Sequence, residues 1–297
     1  MTRKYRFGIL GWPLEQSLSP LIHQAALAGC GLVGEYNLYP VRADPLDTAA
    51  IGNLLAEVRS GELDGLNVTI PFKQTVLDYL DELSPTARAI GAVNTIYQRN
   101  GLLLGDNTDA PGFIQDLRNL GWFDELSTRS SFLVLGAGGA ARAIVHALLQ
   151  PGCKLVVASR RQGQAEALIR SMIPHFQPAV SGALQATALQ KGFLSEMPNP
   201  DLVVNTTPAG MLPDVNQSPW PIGEPFPANA RVYDLIYKPS TTLFMEQASR
   251  SGLAAANGLG MLVEQALLSF ECWTGTRPDK KAIFSALTRV ERKEVDI

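Results

Sequence analysis

Short apolar, branched runs recur along the chain at Phe7 to Leu10, Leu66 to Ile70, Phe132 to Leu135, Leu155 to Ala158, Leu202 to Val204 and Val232 to Leu235. Helix-like stretches separate them, and that alternation predicts an α/β fold built on mostly parallel sheets. Ser19-Pro20 joins a serine N-cap to a proline at the first helical position, predicting a helix that runs to about Ala28. Asn100-Gly101 stands between Thr95-Ile96-Tyr97 and Leu102-Leu103-Leu104, so one antiparallel hairpin is expected. After the capping side chains of Asp106 to Asp109, residues Phe113, Ile114 and Leu117 share one helix face. Leu259, Leu262, Val263, Ala266, Leu267 and Phe270 repeat the helical spacing after a Gly258-Leu259-Gly260 turn. The Pro-rich stretch from Pro208 to Pro227 reads as an irregular surface loop able to fold over a ligand.

At 297 residues and 46% hydrophobic content, the chain has more apolar material than one domain needs. Two domains are expected. Residues 1–109, completed by the C-terminal helices of 258–297, form an α/β substrate domain; residues 110–257 form a dinucleotide-binding domain of the Rossmann type, with a cleft between the two. A net charge of -3 without a Lys/Arg-rich stripe gives no electrostatic footprint for nucleic acid. No run approaches the ~18 apolar residues of a membrane span, and the basic start from Met1 to Arg6 leads straight into a strand, so a cytoplasmic protein is expected. Cys30, Cys153 and Cys272 are odd in number, far apart and without nearby histidines, which suggests neither a disulfide framework nor a metal site.

The clearest chemistry lies after the run at Ser131 to Leu135, where Gly136-Ala137-Gly138-Gly139-Ala140-Ala141 opens an alanine-rich helix reaching about Leu149. Strand, glycine turn and helix in that order form a dinucleotide-binding turn. Gly136 permits the tight bend, Gly138 lets backbone N–H groups approach a pyrophosphate, and the helix N-terminus favours negative charge. At the end of the next strand, enzymes using NAD place a carboxylate on the ribose. Here Ser159-Arg160-Arg161 stands instead, and two guanidinium forks suit a 2′-phosphate, so NADP is the expected cofactor.

Polar clusters that packing does not demand fill the first half: Ser17-Leu18-Ser19-Pro20, Asn67-Val68-Thr69-Ile70-Pro71-Phe72-Lys73, Ala92-Val93-Asn94-Thr95 and Gly105-Asp106-Asn107-Thr108-Asp109. With these motifs the chain resembles the shikimate dehydrogenase family over essentially its whole length. The resemblance implies NADPH-dependent, reversible reduction of 3-dehydroshikimate to shikimate, on the route to chorismate and the aromatic amino acids, by a monomer or homodimer. It implies that Ser17 and Ser19 hold the substrate carboxylate, that Asn67, Thr69, Asn94 and Gln265 hold its hydroxyls, and that Tyr237 also contacts it. Lys73 and Asp109 are then the catalytic pair. On the cofactor side it adds Thr206, Thr207, Pro208, Leu235, Gly258 and Met261 to Gly136, Ala137, Gly138, Gly139, Ala140, Ser159, Arg160 and Arg161. Departures from the family pattern are Trp12, Ala110 and Ser159.

The residue types suit the chemistry, because reducing a ring ketone needs a positive or proton-donating group where charge grows on the carbonyl oxygen. Plainer readings stand beside this one. Ser19 can be only an N-cap, and Asn67 with Thr69, two apart on a strand, can line a pocket or a solvated face. Lys73 taken alone is an ordinary lysine at a helix start; its motif gives it meaning. His23, His146 and His175 share no motif and read as packing or surface residues. A quinate dehydrogenase using NAD and a catalytically dead NADP-binding regulator remain the alternatives, the first disfavoured by Ser159-Arg160-Arg161 and the second by the presence of both Lys73 and Asp109.

Overall fold

The structure is a computed structural model that describes residues 3–126, 129–149, 152–176, 182–196 and 199–295. It divides into two compact units, one of residues up to Gly112 with those from Leu262 onward, the other spanning Phe113–Met261. Residues 1, 2, 296 and 297, assigned above to the substrate domain, lie outside the described residues.

In the first unit, β1 (Lys4–Gly11), β2 (Val33–Pro40), β3 (Gly65–Val68), β4 (Glu82–Leu83), β5 (Thr95–Arg99) and β6 (Leu102–Asp106) form a sheet in the order β2-β1-β3-β5-β6-β4. Strand β5 runs antiparallel to both neighbours; the other pairings are parallel. The β5–β6 hairpin turns at Asn100 and Gly101, both at positive φ (55° and 80°), the geometry that the Asn-Gly pair favours. Helices α1 (Ser19–Gly29), α2 (Thr48–Ser60) and α3 (Pro85–Ile90) connect these strands. Leu54, Leu55 and Val58 of α2 pack with Leu66, Val68, Ile96 and Leu103 of the sheet in one core.

Two local expectations are corrected. Ser19 is the first helical residue, not the N-cap, which is Leu18 and makes no side-chain capping bond. The hydroxyl that serves this end is that of Ser17, whose Oγ accepts from Ser19 N at 3.3 Å. The second strand stops at Val68 instead of reaching Ile70, although Thr69 N still donates to Leu10 O at 2.9 Å and Ile70 O still accepts from Trp12 N at 3.0 Å.

The second unit holds β7 (Ser131–Leu135), β8 (Lys154–Ser159), β9 (Leu184–Ala188), β10 (Leu202–Asn205), β11 (Arg231–Asp234) and β12 (Ala254–Asn257), all parallel, in the order β12-β11-β10-β7-β8-β9. This is doubly wound topology, with the chain switching direction between β7 and β10. Alternate residues serve two cores, as a sheet buried on both faces requires. Phe132, Val134, Leu155, Val157 and Val204 pack in one, Leu133, Leu135, Val156, Ala158 and Val203 in the other. Helices α5 (Gly139–Leu148), α6 (Gln162–Met172) and α7 (Leu243–Arg250) belong here. The Pro208 to Pro227 segment lacks helix and strand, but Trp220 within it is buried in the second of these cores.

The chain passes between units inside two continuous helices, α4 (Asp109–Asn119) and α8 (Leu259–Thr274). The crossings fall within these helices, between Gly112 and Phe113 and between Met261 and Leu262. Helix α9 (Lys280–Val295) completes the first unit. Of the predicted Gly258-Leu259-Gly260 turn only Gly258 lies outside α8, whose first amide, Leu259 N, donates to Asn257 Oδ1 at 3.1 Å. Among the described residues no helix is long and apolar enough to cross a membrane.

Candidate active site

In the first unit the loop after β3 and the start of α4 converge. Val93 N donates to Lys73 O at 2.8 Å, holding the lysine backbone against the segment that leads into Asn94. The Lys73 ammonium lies 2.6 Å from Asp109 Oδ2, with only 16% and 7% of the two side chains exposed. Asp109 opens α4, where the helix dipole favours an acidic side chain. Asn107 Oδ1 caps this end, accepting from Asp109 N at 3.1 Å and Ala110 N at 3.3 Å.

Asn94 fixes the other carboxylate oxygen: its Nδ2 reaches Asp109 Oδ1 at 2.9 Å, Thr108 Oγ1 at 2.9 Å and Gln265 Oε1 at 3.2 Å. Three acceptors compete for two hydrogens, so one can be replaced by a ligand oxygen without leaving a donor idle. Its Oδ1 meanwhile accepts from Thr108 N at 2.8 Å. Asn67 is held as firmly. Its Oδ1 accepts from Tyr36 OH at 2.9 Å, and its Nδ2 donates to Asn94 O at 3.0 Å and Ser269 Oγ at 3.1 Å.

Asn67, Lys73, Asn94, Asp109 and Gln265 thus form one connected, largely buried polar network. Ser17, Ser19 and Thr69 belong to the same unit but are not bonded into it; Thr69 packs instead against Gly11, where an added Cβ would lie 2.3 Å from Thr69 Cγ2. Tyr237 follows β11 in the second unit. Sequence reasoning missed Ser269, a fully buried hub that also meets Thr95 Oγ1 at 2.7 Å and Thr108 Oγ1 at 3.1 Å. One signal for it existed: Ser269 stands four residues after Gln265, on the same helix face. Below the network His23 is buried against Tyr36, ring centroids 4.4 Å apart, and neither ring nitrogen has a hydrogen-bond partner. Burial holds its pKa down at about 3, so the ring is neutral.

The second unit carries the glycine turn. Gly136 adopts φ 108°, and a Cβ there would lie 2.6 Å from Thr206 Oγ1, so both the backbone conformation and the neighbouring loop require glycine. Thr206 in turn donates from Oγ1 to Leu135 O at 2.7 Å. Gly138 occupies the N-cap of α5 without a side-chain capping bond, and a Cβ there would meet nothing within 4 Å. An uncapped helix start facing open space fits a pyrophosphate, whose oxygens would take the hydrogen bonds that the first-turn amides offer. Ser159 is buried at the end of β8, whereas Arg160 and Arg161 are exposed and pair with no carboxylate among the described residues. Gly258 closes on the other strand end: Gly258 N donates to Ile236 O at 3.2 Å, and a Cβ there would lie 2.2 Å from Leu235 O. Met261 is buried in the unit's core. Among the described residues no group of three or more histidines, cysteines or acids could hold a metal ion.

Comparison with known proteins identifies the family. A family model described as the shikimate dehydrogenase substrate binding domain matches residues 9–96, and one described as the shikimate 5′-dehydrogenase C-terminal domain matches residues 258–287. The chain is 41% identical over 283 residues to a shikimate dehydrogenase (NADP(+)) of Salinibacter ruber, covering 94% of this chain and 95% of that one. A solved shikimate 5-dehydrogenase of Thermus thermophilus, in complex with NADP(H) and shikimate, superposes with a TM-score of 0.80 at 37% identity, covering 96% and 99% of the two chains. A 5-ketofructose reductase of a Gluconobacter strain superposes with a TM-score of 0.79 at 28% identity, covering 97% and 99%.

Proposed function

The chain belongs to the shikimate dehydrogenase family, and from that premise we propose that it interconverts 3-dehydroshikimate and shikimate with NADP(H). The observation that carries the reading is the Lys73–Asp109 pair at 2.6 Å, set into a network of donors and acceptors that suits a polyhydroxylated ring. When bound, NADPH supplies the hydride that reduces the ketone carbon. Lys73 donates a hydrogen bond and then a proton to the ketone oxygen, which becomes the product hydroxyl. Asp109 orients that ammonium and accepts from a ring hydroxyl. Asn67 and Thr69, with Asn94 and Gln265, hold the remaining hydroxyls, Tyr237 adds a further contact, and Ser17 with Ser19 receives the carboxylate.

Gly136 to Ala140 would hold the pyrophosphate, with Thr206, Thr207, Pro208, Leu235, Gly258 and Met261 around the rest of the cofactor. Ser159, Arg160 and Arg161 would read the 2′-phosphate, a role supported by two exposed guanidinium groups and the lack of an acid beside them. A cytoplasmic location and a monomer or homodimer belong to the same reading.

The test is initial turnover with shikimate and with quinate, each with NADP and with NAD, followed by the absorbance of reduced nicotinamide. Shikimate with NADP is expected to be the best pair. Better turnover of quinate with NAD would move the assignment to a quinate dehydrogenase, and no turnover in any arm would favour a regulator.

A further inference from the structure

Asp234 is the last residue of β11, has no exposed surface, and plays no part in the chemistry above. Burial pushes its carboxyl up to about 6, so holding it ionised near neutrality works against folding. Its partners are neutral donors from three separate segments. Oδ1 accepts from Asn205 Nδ2 at 2.9 Å and Ile236 N at 3.1 Å, and Oδ2 accepts from Thr242 Oγ1 at 2.6 Å.

The donors lie at or just past the ends of two strands and at the start of a helix. Asn205 ends β10 just before Thr206, Ile236 follows Leu235, and Thr242 caps α7 by accepting from Met245 N at 3.3 Å. Asn205 passes the constraint onward, for its Oδ1 accepts from both Thr207 N at 2.9 Å and Thr207 Oγ1 at 2.7 Å. An asparagine amide can sit either way round in similar space, and only its partners decide which. By claiming Nδ2, the acceptor-only carboxylate turns Oδ1 toward Thr207; the flipped amide would set N–H against N–H.

We propose that Asp234 is a positioning residue for the cofactor site: it locks the Asn205 amide and the Leu235–Ile236 segment so that Thr206, Thr207 and Leu235 meet the cofactor already in place. The proposal rests on the NADP reading above. The benefit is preorganisation, since loops fixed before binding need not be ordered by the ligand.

The test measures NADP and shikimate dissociation constants by calorimetry for the wild type, Asp234→Ala, Asp234→Asn, Asn205→Ala and the Asp234→Ala/Asn205→Ala double variant. Asparagine at 234 keeps an acceptor for Asn205 and Ile236 and can donate to Thr242 Oγ1, so Asp234→Asn should bind NADP within about threefold of the wild type. Asp234→Ala and Asn205→Ala should each weaken NADP by about tenfold or more while leaving shikimate within about twofold. The double variant should be no weaker than the weaker single one, as expected of residues acting in series.

NADP binding by Asp234→Ala within twofold of wild type would overturn the proposal. Equal losses for both ligands would overturn it too, in favour of a general structural role. Should Asp234→Ala fail to fold, Asp234→Asn and Asn205→Ala still decide: loss in the first, or none in the second, refutes the positioning. A wild-type chain that binds no NADP would instead bring down the cofactor reading, and this proposal with it.

Discussion

Lys73→Ala removes the ammonium that stands 2.6 Å from Asp109 Oδ2 and leaves the rest of the site in place. If that ammonium acts where negative charge grows on the ketone oxygen, its help is larger in the transition state than in the ground state. Losing one such group costs about a hundred- to ten-thousand-fold in kcat, or about 3–5 kcal/mol of barrier. The stability cost should be smaller. Breaking a fully buried ion pair costs roughly 3–5 kcal/mol, but Asp109 keeps Asn94 on its other oxygen at 2.9 Å and sits at the favourable end of α4. We expect about 1–3 kcal/mol, a thermal midpoint a few degrees lower and a folded enzyme. Shikimate binding by calorimetry should stay within about threefold while kcat at saturation collapses, the pattern of an interaction made mainly in the transition state. A variant that keeps kcat within about tenfold of wild type would refute the assignment of Lys73 and leave Asp109 or a bound water as proton carrier.

Changing Arg160 and Arg161 together to alanine should raise the KM for NADP far more than that for NAD; equal changes would show that these side chains do not read the 2′-phosphate. Ser269→Ala should raise the KM for shikimate several-fold and leave that for NADP unchanged, because it deprives Asn67, Thr95 and Thr108 of a shared partner; unchanged shikimate kinetics would remove Ser269 from the substrate network. For His23, the unfolded chain takes up a proton as pH falls through about 6.5, whereas the folded ring resists until about 3. Its contribution to stability is therefore complete above the first value and shrinks as pH falls toward the second. His23→Phe should lose less of its urea midpoint between neutral and acidic pH than the wild type does; parallel losses would show that this ring does not set the acid sensitivity.

The features legible in the chain alone were those with local causes. Branched runs marked β7 and β8 almost to the residue, and Asn100-Gly101 specified its hairpin because two consecutive positive φ angles suit few other pairs. The glycine turn at Gly136 could be placed because strand, bend and helix start are adjacent in sequence. Short or polar elements such as β4, β9 and β12 escaped notice, since two to five residues with half-exposed side chains carry little periodic signal. The N-cap of α1 was misplaced by one position because serines at 17 and 19 offer the same hydroxyl, and only backbone geometry shows which amide it reaches.

Bonding across long sequence separations was decided by tertiary structure alone. Ser269 meets Asn67 across 202 residues and Asp234 holds Asn205 across 29, and no local pattern encodes such a partnership. The sequence by itself determined which chemistry the chain carries, because lysine, aspartate, asparagine and glycine bring their properties wherever they stand. Folding decided which donors are already spent and which remain for a ligand, because a hydrogen bond depends on distance and direction that exist only once strands and helices have packed.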